Sequence, residues 1–176
     1  LDDKKFWKEC LNKEDFQNQY IYYRKFKLLL RFEIINYIKK NFDNKFVLIG
    51  DDWEKYDIKS VSSNFDSKYI KRLYQGNICL DLGSMQGSSS LYSRSNQIIE
   101  AGGLIIQSRQ ADYNKIWGKL EKKILFKNLK ELRILINKLL NDSLYSKQLI
   151  DEIYKNFLFS NKMIEENLDK IIKIIN

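Results

Sequence analysis

The stretch CLDLGSMQGSSSLYSRSNQIIEAGGLII, Cys79 to Ile106, decides how this chain is read. It begins within an aliphatic run, Asn77 to Leu82 (NICLDL), that predicts a strand ending at Gly83. A loop of small residues comes next, from Ser84 to Ser90, then a helix from Leu91 to Ala101, the Gly102-Gly103 step, and a second strand, LIIQS, at Leu104 to Ser108. A strand that feeds a helix through such a loop gathers backbone N–H groups and a helix N-terminus around one point, the usual way an α/β sheet holds a phosphate. Arg94, at the start of that helix, adds a fixed positive charge. Ordinary turn chemistry selects the same small residues. Gly102-Gly103 reads better as a helix C-cap than as a ligand loop.

Upstream, Phe26, Leu30, Ile34 and Ile38 recur at helical spacing and predict a long helix that reaches about Phe42 and starts as early as Tyr20. Lys45 to Gly50, KFVLIG, reads as a buried parallel strand, with Asp51-Asp52 in the loop at its carboxyl end. A weaker strand is expected around Ile58 to Ser62, and a short helix from Ser67 to Gln75, capped by Asp66 or Ser67 and stopped by Gly76. Downstream, Ala111 to Trp117 predicts one or two helical turns and Lys123 to Phe126 the last strand. Leu129, Leu132, Ile136 and Leu139 form one helical stripe, opened by Asn128 and Glu131 at capping-box spacing; Ile164, Leu168, Ile171 and Ile175 form another. Alternating strands and helices predict a Rossmann-like α/β fold: a parallel sheet with helices on both faces, followed by C-terminal helices, in one domain over residues 1–176.

Composition narrows the function classes. With 44% hydrophobic and 14% aromatic residues in 176, the chain has enough apolar surface to offset the entropy of ordering, which excludes disorder along its whole length. The net charge of +8 comes from scattered lysines with no long run of like charge, so it reads as a solvated surface, and no nucleic-acid partner is expected. The aromatics of YIYYRKFK, Tyr20 to Lys27, belong to an amphipathic helix, and Trp7, Trp53 and Trp117 are assigned to packing. Histidine is absent, which removes Ser-His and Cys-His catalysis and histidine metal sites; a base must be a carboxylate or come from another domain. Cys10 and Cys79 give no disulfide framework or metal-ligand spacing, and Asp51-Asp52 alone is too small a ligand set for a cation. No metal and no cofactor are therefore expected. No apolar run approaches the ~20 residues that cross a bilayer. The expectation is a chain without a transmembrane segment, cytoplasmic or peripheral at the inner membrane face. It lacks an initiator Met and is expected to begin inside a longer protein.

Together with the strands and helices downstream of it, the Cys79 to Ile106 stretch resembles the C-terminal domain of group 1 glycosyltransferases of the GT-B fold, in the branch of spore-coat and surface-polysaccharide enzymes. The resemblance covers about residues 28 to 175 and includes VLIGDDW, Val47 to Trp53, and LKELRILINKLLND, Leu129 to Asp142. That branch has an Arg three residues before a Glu, with a Gly five residues beyond; here these positions are Arg94, Gln97 and Gly102. The resemblance implies a nucleotide-sugar donor held by Gly50 and Asp51 at the pocket border and by Gly87, Ser88, Ser89 and Ser90 at the pyrophosphate or donor sugar. Arg94 would hold the phosphates and Gln97 the ribose hydroxyls. It also implies a missing N-terminal domain that supplies most contacts to a glycan or other acceptor. Gln97 keeps a carbonyl acceptor but loses the charge-assisted strength of the family's Glu. The family's other acid falls on Ser89, and Glu100 lies three residues late, on another part of the helix surface. These departures bear on activity, donor and stereochemistry rather than on fold.

Two other readings compete. LDLGSMQGSSS is also similar to the first motif of S-adenosylmethionine-dependent methyltransferases, but its second glycine comes only at Gly87. The strand that should end in an acidic ribose ligand ends at Gln107-Ser108 instead. A non-catalytic basic α/β binding module would need lysines and aromatics converging on one face.

Overall fold

A computed structural model of the chain describes residues 16–42, 45–62, 66–83, 93–110 and 113–175; within helices, the side chains of 16–20, 22–24, 159–161, 163, 164, 167 and 171–175 are also left aside. The chain divides into two compact units, Leu1–Val47 and Leu48–Asn176. The first holds one long helix, α1 (Phe16–Phe42), whose buried Phe26, Ile34 and Ile38 keep the expected spacing, joined by Ile35. It begins earlier than the sequence pattern indicates.

The second unit is built on three parallel strands in the order β1 (Ile78–Asp81), β2 (Leu104–Ser108) and β3 (Leu125–Phe126). Ile78 pairs with Leu104 and Asp81 with Gln107, while Gln107 and Ser108 pair with Leu125 and Phe126. Parallel neighbours need crossovers. The first is α3 (Ser93–Glu100); the second is α4 (Tyr113–Trp117), a 3-10 turn at Gly118–Leu120 and α5 (Glu121–Ile124). Before β1 lies α2 (Ser67–Tyr74), and after β3 come α6 (Leu129–Asn141) and the long α7 (Ser143–Ile175). Leu104, Ile105, Ile106 and Gln107 are each at most 1% exposed. Successive strand residues face opposite sides, so both faces of β2 are covered, as the run LII requires. α3, α5 and α7 pack against β2, and α6 against β3. The unit is thus α/β and Rossmann-like, a parallel sheet flanked by helices. Among the described residues no helix is long and apolar enough to cross a membrane.

Local chemistry sets the boundaries. Asp66 caps α2 by accepting from the Lys68 amide at 3.0 Å. Asn128 does the same for α6, accepting from the Glu131 amide at 2.9 Å. The Glu131 carboxylate reaches back to the Lys127 amide at 2.8 Å, one residue beyond the box the sequence suggests. α3 ends in a Schellman turn: Gly102 N–H bonds to Ile99 O, Gly103 N–H bonds to Ile98 O, and Gly102 sits at φ 74°. The glycine pair is therefore a C-cap.

Two expectations are corrected. KFVLIG and Ile58 to Ser62 do not form strands of the sheet; they share one parallel bridge, Ile49 with Val61, and Val47 is 57% exposed. A β-rich run becomes a strand only when neighbours cover it. The stripe Ile164 to Ile175 is helical, as its spacing predicts. It lies in α7, whose buried residues among those described are Leu149, Ile153 and Phe157, while Leu168 is 52% exposed.

Gly103 offers a test of the β2 entry. A Cβ there would lie 2.9 Å from Tyr74 O and 3.0 Å from Ile98 O, backbone atoms that cannot swing away, whereas nothing lies within 4 Å of one at Gly102. Gly102→Ala should cost about 1 kcal/mol for the left-handed conformation, and Gly103→Ala about 3 kcal/mol for overpacking. Urea titrations giving equal losses would contradict this packing.

Candidate functional site

At the carboxyl end of β1 and β2 three polar side chains are withdrawn from water: Asp81 is 2% exposed, Ser95 0% and Gln107 1%. Register makes Asp81 and Gln107 neighbours on one face of the sheet. The crossover helix α3 brings Ser95 over them, and α4 brings Tyr113 and Trp117. The Ser95 hydroxyl donates to Asp81 Oδ2 at 2.6 Å, and the Gly83 amide donates to Oδ1 at 3.0 Å. Gln107 Nε2 is shared among Asp81 Oδ2 (3.3 Å), Ser95 Oγ (3.2 Å) and the Tyr113 hydroxyl (3.4 Å). Trp117 Nε1, which can only donate, faces Gln107 Oε1 at 3.0 Å and so fixes which way the amide points.

The arrangement ties Gly83, two residues past β1, to Ser95 in the first turn of α3. The described residues on either side of the small-residue segment are thereby held at the edge where α/β sheets bind ligands. The network itself is sealed and satisfied, so its work is positioning rather than chemistry. Little in the sequence announces it. The one signal is an acidic residue and an amide at the ends of two otherwise aliphatic strands, which only partnership can make tolerable.

Arg94 is exposed beside Ser95 at the start of α3. Its charge reaches the Tyr74 phenol, whose pKa is raised, chiefly by burial, with Arg94 opposing the rise. Gln97, also on α3, is exposed. Gly87, Ser88, Ser89 and Ser90 lie outside the described residues. Gly50 and Asp51 precede the 3-10 turn Trp53–Tyr56. A Cβ at Gly50 would sit 2.8 Å from Trp53 Nε1, and Asp51 accepts from the Ser62 hydroxyl at 2.6 Å. Asp52 pairs with Lys55 at 2.6 Å, and Glu54 accepts from the Ser60 hydroxyl at 2.6 Å, which lowers its pKa.

A cavity of about 350 Å³ opens at the carboxyl ends of β2 and β3, lined by Arg109, Gln110, Asn114 and Lys127. None of these four stands out in the sequence. Their convergence depends on the pairing of β2 with β3, where Arg109 N–H bonds to Phe126 O at 2.8 Å.

No family model, no curated protein and no solved structure matches this chain.

Two tests address the network. Ser95→Ala should destabilise the protein by about 1–3 kcal/mol by stripping a partner from a buried carboxylate. In a cycle with Asp81→Asn the losses should be non-additive by at least about 0.5 kcal/mol, and strict additivity in urea titrations would break the assignment. Cys79, two residues before Asp81, gives the second. Burial, helped by the Asp81 charge, pushes its thiol from 9.0 up to about 12. The folded state thus favours the protonated form, and the resulting stability is fully present below about pH 9 and is lost as pH rises toward about 12. The stability difference between the parent and Cys79→Ala should shrink between about pH 8 and about pH 11; a constant difference would refute it.

Proposed function

We propose that this chain is the nucleotide-sugar-binding domain of a glycosyltransferase. The observation that carries the reading is the tie between Gly83 and Ser95 through Asp81. A buried carboxylate, Asp81, accepts from both the strand exit and the first turn of the following helix, and Arg94 stands exposed at that turn. This is the arrangement expected where a loop and a helix start share a phosphate. The resemblance of Cys79 to Ile106 to group 1 glycosyltransferases supplies the kind of phosphate, the diphosphate of a sugar donor.

In this reading Arg94 neutralises the diphosphate, the Gly87 to Ser90 stretch faces the pyrophosphate or the sugar, and Gln97 accepts from a ribose hydroxyl. An N-terminal domain brings the glycan or other acceptor, and transfer takes place in the cleft between the two. A base on this chain would have to be a carboxylate, since histidine is absent. The methyltransferase alternative is weakened because Gln107, near the strand end where a ribose ligand is needed, is 1% exposed and spends its amide on Asp81, Ser95, Tyr113 and Trp117.

Calorimetry with UDP-, GDP-, CDP- and ADP-linked sugars, alongside S-adenosylmethionine, tests the proposal. At least one nucleotide sugar should bind, and Arg94→Ala should weaken it about tenfold, the worth of one charge-assisted contact. Binding of S-adenosylmethionine alone, or of none of the panel, would overturn it.

A further inference from the structure

The cavity past β2 and β3 differs in character from the network beside it. Arg109 and Gln110 follow β2, Lys127 follows β3, and Asn114 comes from the first turn of α4. Among the described residues its lining holds two cationic and two amide side chains. Glu121 pairs with Arg109 and holds its guanidinium in place, leaving other N–H groups of that fork to donate. The informative group is Gln110. Both its Nε2 and its Oε1 are buried, and neither has a hydrogen-bond partner among the described residues. An unpaired buried amide costs about 1–3 kcal/mol per group, and native chains seldom leave such a group without a ligand, an ion or an ordered water.

We propose that this cavity is a second binding site, for a sugar-sized phosphomonoester: a phosphate held by Lys127 and Arg109, and hydroxyl groups held by the amides of Gln110 and Asn114. A primary amide offers a donor and an acceptor side by side, which matches an alcohol or a pair of neighbouring hydroxyls. Paired cations suit a phosphate, with Arg109 as the planar fork and Lys127 as the point charge. The volume falls within the range of small-ligand pockets. The site shares the end of β2 with the buried network but none of the residues proposed to hold the donor, and it does not depend on that reading.

The test uses the whole chain in thermal-shift and calorimetric titrations with glucose 6-phosphate, inorganic phosphate and unphosphorylated glucose. Glucose 6-phosphate should bind and raise Tm, inorganic phosphate should bind more weakly, and glucose should not bind measurably. Lys127→Ala should weaken the phosphate ester by at least about tenfold through loss of a charge-assisted contact, and Arg94→Ala should leave it unchanged. Gln110→Leu should raise Tm without ligand, since it removes an unsatisfied buried amide, and yet weaken the ester. A purely structural Gln110 would not give that opposed pair of effects. The proposal is overturned if the ester fails to bind, if glucose binds as well as its phosphate, or if Lys127→Ala has no effect. Loss of ester binding in Arg94→Ala would place it in the other segment and overturn it too.

Discussion

A carboxylate taken out of water must be given hydrogen-bond donors, and much of the second unit follows from where Asp81 finds them. Its partners are the amide of Gly83, the hydroxyl of Ser95 and the amide nitrogen of Gln107. They belong to the strand exit, the crossover helix and the neighbouring strand. Leaving any one of them out costs more than an ordinary contact because the acceptor stays buried. β1, α3 and β2 therefore have one mutual arrangement that satisfies the carboxylate. Apolar packing around Ile98, Ile99, Ile105 and Ile106 supplies the bulk of the driving force but would tolerate small slips. The carboxylate does not.

Two glutamines three residues apart show how the same side chain serves opposite ends. Gln107 lies within β2, sealed, with its oxygen taken by Trp117 and its nitrogen by Asp81, Ser95 and Tyr113. Gln110 lies beyond the strand, against a basic cavity, with both amide atoms buried and unpartnered among the described residues. The first is spent on structure. The second keeps its hydrogen-bonding capacity, and keeping it lowers stability. Binding sites carry such costs because affinity needs groups that the fold has not already satisfied. The proposed donor segment is built on the other principle, an exposed Arg94 on a rigidly held helix start.

The sequence by itself determined the elements whose causes are local. The strand LIIQS matches its predicted limits, and the caps at Asp66 and Asn128 form from the residues that sequence rules name. The Gly102-Gly103 step ends a helix because only glycine enters the left-handed turn cheaply. KFVLIG departs from its expected strand for a physical reason: an apolar β-branched run carries strand propensity, but only covering neighbours make it a strand, and Val47 remains exposed. Tertiary structure alone decided which polar residues meet. Asp81 and Gln107 are 26 positions apart and become neighbours through parallel register; Arg109 and Lys127 share a cavity because β3 pairs with the end of β2. Long-range pairing leaves no periodic trace in the sequence, so the polar network and the cavity came into view only with the fold.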